Sequence, residues 1–426
     1  MKKIILIVLG IIAFVILIIY ISIWSTPNKV ESQIIVNAEN IETLDFRKLD
    51  SVTIAVTTLY EANILKKMIQ GEQYRAEWGV PITVPIVYLD TLKGGLSIIK
   101  KGGGKQTQSL RLKNPEDVYY TLRSVGKNPE PLVPDFAKTL GIENIITDGI
   151  SAQHPYGASV AAKLAQKVSI LHTNPSLVFV PKQEGLGSYS EEYGNKLYWL
   201  EYETESPTNW TTFKNVTEIL DTENLQEMKR ELGDQLHVDK ESLVRNRLFD
   251  LMIGDWDRHA KQWGWVVQKE EGKYKAIPLA GDRDNAFFTL DGLIPTVVSS
   301  KNIQPRLRSF EAEIEYIPGL VYPFDRYFLL NTPTEMFVEQ AKFIQNTLTD
   351  EAIQEALNVW PTKIYLLNGK QIKNKLISRR DQLLEYAVAF KKEIDKQGIL
   401  KEQLKGSEDA KISEGLIMCF ECPMDY

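Results

Sequence analysis

The sequence predicts an α+β protein of two lobes, held to a membrane by one helix at its N-terminus. Three observations lead there. Ile4 to Trp24 is an uncharged run of 21 residues, preceded by Lys2 and Lys3. The first half of the remainder is rich in β-branched residues punctuated by glycine, which is the composition of strands and turns. The second half carries apolar residues at helical spacing, and two acidic loops stand where it begins.

An apolar run of about 20 residues is long enough to span a bilayer. It ends in Ile-Trp-Ser-Thr-Pro, without the small-residue pattern of a cleaved signal peptide, so residues 1–25 read as an uncleaved signal anchor. The membrane is therefore an expected partner, through residues 4–24. Lys2 and Lys3 favour a cytoplasmic N-terminus, which places the large domain on the extracytoplasmic side. The composition, 43% hydrophobic and 25% charged, is that of an ordinary globular protein. With a net charge of -6 and no basic block, no nucleic-acid partner is expected. Cys419 and Cys422 are the only cysteines, too few for a disulfide framework.

Residues 26–50 are polar and mixed and read as a linker. The β-rich lobe is expected over 51–185. Ser51 to Thr58 alternates like a strand, 59–77 has helical spacing, and Pro81 to Leu92 reads as extended. Residues 94–113 read as strand, glycine turn, strand, and Val118 to Val125 as a further strand. Helices are expected over 132–168, broken near His154-Pro155, and strands over Ser176–Pro181 and Lys196–Thr204. The mainly helical lobe is expected over 186–426. It opens with helices over Glu223–Leu232 and Glu241–Ile253, is interrupted by strands at Trp263–Gln268 and Lys273–Leu279, and continues as helix over 334–400.

The chemistry is concentrated in two loops. The first is Gly254-Asp255-Trp256-Asp257-Arg258-His259-Ala260-Lys261-Gln262, and the second is Gly281-Asp282-Arg283-Asp284-Asn285-Ala286-Phe287. Phosphoryl transfer to a hydroxyl needs one carboxylate to orient the nucleophile and accept its proton, and another acid to hold a divalent cation on the phosphates. Asp257 suits the first task, and Asp282 or Asp284 the second. His259 and Lys261 share the first loop and supply cationic donors for the γ-phosphate. Acid-glycine turns also cap helices for purely structural reasons, but two such clusters flanking a paired-strand segment favour a site. The tract Gly102-Gly103-Gly104-Lys105 brings backbone N–H groups within reach of phosphate oxygens, or is a plain hairpin turn. His154 and His172 sit in turn-like settings and read as structural. Trp256, Trp263 and Trp265 read as core before substrate stacking.

Asp257-Arg258-His259-Ala260-Lys261-Gln262 resembles the catalytic loop of atypical kinases. The nearest pattern is the D-x-H-x-K-N of HipA-type toxin kinases, with related loops in type II phosphatidylinositol 4-kinases and secretory-pathway kinases. Leu248 to Gly254 resembles the helix entering that loop, and Asp282-x-x-x-Ala286-Phe287 resembles the D-x-G-x-A-F metal element. The resemblance implies a protein-kinase-like fold, ATP with Mg²⁺ or Mn²⁺, Asp257 as catalytic base and Asp282 as metal ligand. Gln262 stands where the family has its second metal ligand, an Asn. Asp255 replaces another Asn, and Asp284 replaces the glycine of the metal element. Kinases carry a phosphate-binding cation on the third strand. Arg123 occupies that place, with Lys127 and Lys113 as alternatives and Glu143 or Asp148 as possible acidic partners.

The leading expectation is a membrane-anchored atypical kinase acting on a hydroxyl of protein, lipid or sugar. A pseudokinase, or nucleotide-binding interaction module without turnover, is the alternative. A metal-dependent phosphoesterase using Asp255, Asp257, His259, Asp282 and Asp284 is the third.

Overall fold

The computed structural model describes residues 2–24, 41, 44–103, 107–128 and 133–421. It is a mixed α+β protein. The N-terminal helix α1 (Lys2–Trp24) is long and apolar enough to cross a membrane, a property that signal sequences share. A small antiparallel pair, β1 (Ser51–Ile54) and β2 (Ile82–Pro85), brackets α2 (Ile64–Gln70) and α3 (Arg75–Gly79). The single helix expected over 59–77 is thus two. Gly71 breaks it at φ 99, where the backbone packs against Asp291 too closely for a side chain.

Five antiparallel strands follow, in the order β3-β4-β5-β7-β6. They are β3 (Ser97–Gly102), β4 (Ser109–Lys113), β5 (Tyr119–Ser124), β6 (Ser176–Val180) and β7 (Lys196–Tyr202). Between β5 and β6 lie the short helices α4 (Asp135–Thr139) and α5 (Glu143–Asp148), then α6 (Gly157–Lys167). The short α7 (Ser190–Tyr193) precedes β7. β6 and β7 pair across the boundary expected at residue 185, so this sheet continues to Tyr202. A period-two pattern cannot reveal which later strand closes a sheet.

The second sheet has four strands in the order β8-β10-β11-β9. β8 (Val216–Asp221) and β9 (Leu236–Val238) were not expected, being short and flanked by polar residues. α8 (Thr222–Leu232) starts where Asp221 accepts a hydrogen bond from the Asn224 amide. α9 (Lys240–Ile253) starts likewise at Asp239 and stops at Gly254 in the left-handed region, φ 73. A Cβ there would stand 2.7 Å from the Phe310 ring. β10 (Trp263–Glu270) and β11 (Lys273–Ala280) form the hairpin between the two acidic loops, with Trp263 opposite Ala280. β10 is apolar on both faces because both are covered. Trp263 and Trp265 pack on Phe324 and Phe328, while Val266 packs with Ile219, Ile277 and Leu279. The helices α10 (Leu293–Val298), α11 (Pro323–Leu329), α12 (Thr334–Thr347) and α13 (Asp350–Leu357) follow, with further helices over Lys370–Asp381 and Leu383–Gln397.

Candidate active site

Both acidic loops hang from one buried carboxylate. Asp250, on the last turn of α9, is fully buried and faces three arginines. Its Oδ1 accepts from Arg283 Nε at 2.9 Å, and its Oδ2 lies 3.0 Å from Arg247 and 3.1 Å from Arg258 Nε. Arg247 is held on its other side by Asp325, and Arg258 donates to the Gly281 carbonyl at 2.9 Å. Burial works against the charge on Asp250, but Arg258, Arg283 and Arg247 outweigh it and hold the carboxyl below its ordinary range. The pattern of the loops follows. Arg258 and Arg283 turn inward to Asp250, so their neighbours Asp257, Asp282 and Asp284 face outward, into one cleft of about 720 Å³.

Asp257 is partly buried, and its amide donates to Asp255 Oδ1 at 3.3 Å. His259 Nδ1 accepts from the Lys261 amide at 3.2 Å, which leaves the ring proton on Nε2, 3.9 Å from Asp257 Oδ1. Burial lowers the His259 pKa and keeps the ring neutral. Asp255 is sealed beneath the loop, where burial raises its carboxyl well above the ordinary range against the opposing charge of Arg258. The Lys261 side chain is exposed, lies over Gly406 and does not line the cleft. Gln262 does line it.

Across the cleft stands Arg123, at the end of β5 and itself buried. Its Nε and Nη2 meet Glu201 Oε1 at 3.0 and 2.8 Å, and its Nη1 reaches Asp282 and, at 3.1 Å, Asp284 Oδ2. Glu201 is fixed in turn by the Thr173 hydroxyl at 2.5 Å. Glu201 is therefore the partner of Arg123, and neither Glu143 nor Asp148 is. Asp148 is buried elsewhere, bonded to Lys66 at 2.9 Å and Arg75 at 2.6 Å. Lys127 bridges Asp284 Oδ2 at 2.5 Å and Thr107 Oγ1 at 2.8 Å, while Lys113 pairs with Asp117 on the surface. Burial tends to lower the Arg123 pKa, but Asp282, Glu201 and Asp284 raise it.

The two outward acids differ. Burial raises Asp282 to about 6, opposed by Arg123, and its backbone sits at φ 50. Its side chain keeps 38% of its exposure, so water at the cleft tempers that shift. Asp284 is half-buried, and although burial raises it, Lys127 and Arg123 hold it below the ordinary range.

Gly103 lines the cleft at φ 105 and Gly102 ends β3, whereas Gly104 and Lys105 lie outside the described residues, as does Cys422. Gln153 and Asn285 also line it, joined by a 2.8 Å hydrogen bond that sequence reasoning missed. Beyond Asp257 a second pocket of about 310 Å³ is walled by Trp256, Tyr322 and Phe324, with Arg306 and Lys405 at its edge. His154 stacks on Trp360 in the core, where burial lowers its pKa to about 3, and His172 bridges to Ala280, with burial lowering it to about 4. Both are structural, as are Trp263 and Trp265, while Trp256 stands at the cleft.

Of the phosphoesterase set, Asp257, His259, Asp282 and Asp284 line the cleft together, whereas Asp255 is buried beneath the loop and does not line it. Among the described residues no cluster of three or more His, Cys, Asp or Glu is placed to hold a metal unaided. The donors that do line the cleft, Asp282, Asp284 and Gln262, present hard oxygens, which suit Mg²⁺ or Mn²⁺ when phosphate oxygens and water complete the shell.

No protein-family model matches the chain, and no curated protein matches it. Among solved structures it is similar to the crystal structure of a Helicobacter pylori proinflammatory kinase, CtkA, at 14% identity and a TM-score of 0.37. That similarity covers 70% of this chain and 95% of the other.

Proposed function

We propose that this chain is a membrane-anchored atypical kinase, with a two-lobed protein-kinase-like catalytic body, that transfers the γ-phosphoryl group of ATP to a hydroxyl acceptor. One observation carries the reading: Arg123, oriented by Glu201, meets Asp282 and Asp284 in the cleft that Asp257 also lines. A cation aimed at phosphates, acids for a divalent ion and a carboxylate for the nucleophile are the parts phosphoryl transfer requires.

In this mechanism Arg123 and Lys127 bind phosphate oxygens, and the backbone at Gly103 lies close to them. Asp282, Asp284 and Gln262 would hold Mg²⁺ or Mn²⁺, which neutralises phosphate charge when bound. The acceptor enters from the pocket beyond Asp257. Asp257 takes the hydroxyl proton, the acceptor oxygen bonds to the γ-phosphorus, and the bond to the bridging oxygen breaks to release ADP. His259 places its Nε2 3.9 Å from Asp257, close to the carboxylate without a hydrogen bond to it. The buried Asp250 cluster holds both loops still, as preorganised catalysis demands.

A second reading, nucleotide binding without turnover, is favoured by the neutralisation of Asp282 and Asp284 by Arg123 and Lys127, and by Gln262 at a ligand position. The full chain in detergent separates the two. A rise in melting temperature with ATP and Mg²⁺ or Mn²⁺, lost in Asp282→Asn, supports the nucleotide site. Transfer of label from γ-labelled ATP then distinguishes kinase from binding module. No thermal shift with either metal rejects both.

A further inference from the structure

Three helices far apart in sequence each expose a pair of large apolar residues four positions apart. On α2 these are Ile64 and Met68, 79% and 67% exposed. On α4 and its cap they are Phe136 and Leu140, 62% and 53% exposed, and on α10 Leu293 and Val297, 54% and 56% exposed. Four positions is one helical turn, so each pair forms a short apolar ridge. Single exposed apolar residues are ordinary, whereas ridges from three joined helices are not.

Two of these helices meet the end of α1, and the third packs on α2. The Tyr20 hydroxyl donates to the Leu140 carbonyl at 2.8 Å, and Gln70 Nε2 donates to Ser22 Oγ at 3.2 Å, so the last turns of α1 are seated between α4 and α2. α10 joins them through its N-cap. Gly71 and Gly292 meet backbone to backbone without room for a Cβ on either, and the Gln73 amide donates to Asp291 Oδ1 at 3.0 Å. Neither α2 nor α10 contains an acidic residue. The ridges thus lie where an apolar helix leaves the folded body.

We infer that the folded body itself rests on the bilayer: α2, α4 and α10 form a second, monotopic membrane contact around the foot of α1, with their apolar pairs in the acyl-headgroup boundary. Apolar ridges beside lysines, here Lys67 and Lys138, are the amphipathic pattern of interfacial helices. The contact also fixes the orientation of the cleft, because α4 runs on through α5 to Ile146 and Gly149, and α10 runs on to Leu307, all at the cleft wall. The inference rests on α1 crossing the membrane and does not depend on the kinase reading.

The test is photolabelling of the full chain reconstituted in phosphatidylcholine and phosphatidylglycerol vesicles that carry a phospholipid with a diazirine in its acyl chain. Adducts are mapped by mass spectrometry. The expected result is adducts within 64–68, 136–140 and 293–298 as well as within α1. In Met68→Glu/Phe136→Glu/Val297→Glu the three body sites should be lost while the α1 adducts persist. Adducts confined to α1 overturn the inference, and a second copy of the chain covering the face would give that same pattern. Absence of adducts from α1 also overturns it, together with the bilayer span.

Discussion

Two clusters of arginine and carboxylate lie close together and are built for opposite ends. Around Asp250, three guanidinium groups close on one carboxylate that has no exposure, and every partner is protein. Around Asp282, Arg123 and Lys127 meet acids on a cleft wall, and Asp282 stays 38% exposed. The first is closed off inside the protein. The second stands on an open wall that something entering the cleft can reach. The acids and arginines of 250–284 thus divide into a closed cluster and a candidate site according to which side of the loop each faces.

The comparison is broken most directly at Asp250. Asp250→Asn leaves Arg247, Arg258 and Arg283 around a neutral amide, and loss of one partner from a buried ionic cluster costs about 3–5 kcal/mol. Urea unfolding of the full chain in detergent reads this. A loss below about 1 kcal/mol would show that the arginines find other partners and that the cluster is not the scaffold.

Asp257→Asn tests the other side. Removing a general base lowers turnover by roughly 10²–10⁴-fold, with stability almost unchanged because Asp257 is only partly buried. Unaltered transfer of labelled phosphate would remove Asp257 from the mechanism. Arg123→Lys sharpens the point by keeping the charge while losing the fork that spans Glu201 and Asp282. Weaker phosphate contact of about 1.4 kcal/mol is tenfold in Kd, and calorimetry with ATP and Mg²⁺ checks it.

The pH dependence of the cleft follows from Asp282. Burial raises it from 3.8 to about 6, so its contribution to stability is complete below 3.8 and is lost as pH rises through about 6. Binding of a metal-nucleotide runs the opposite way, since the cation needs the carboxylate, so affinity should rise through about pH 6. In Asp282→Asn both slopes should flatten. A wild-type binding curve that is level from pH 5 to pH 7 would place the titrating group elsewhere.

Much of this was readable from sequence. The acidic loops, the hairpin between them and Gly254 as the stop of α9 all follow from local patterns. Glu201 does not, because its meaning lies in strand pairing: β7 sets Glu201 opposite Thr121, diagonal to Arg123. The available signal was a lone acid in phase with Leu197 and Trp199, whose face of the strand is core. Asp250 was equally hidden, since an acid on a helix next to a loop reads as a solvated side chain until three arginines are folded onto it. The boundary at 185 failed for the same reason as Glu201, as β7 belongs with strands far earlier in the chain.

The smallest expected effect is at Lys261, where sequence and structure part most plainly. Its spacing in the loop places it beside Asp257, yet the side chain is exposed over Gly406 while the cleft is lined by its neighbours His259 and Gln262. The 3₁₀ turn at Ala260–Gln262 directs it away, and what Lys261 gives to the site is its backbone N–H, which fixes the His259 tautomer. Lys261→Ala preserves that N–H. Stability should therefore change by no more than about 0.5 kcal/mol, the usual range for surface substitutions. ATP affinity and the rate of transfer should stay within roughly twofold, about 0.4 kcal/mol. Lys261→Pro removes the N–H and frees the imidazole to turn, so it should lower transfer where alanine does not. Equal losses in the two variants would mean that the ammonium group reaches the phosphates once nucleotide is bound.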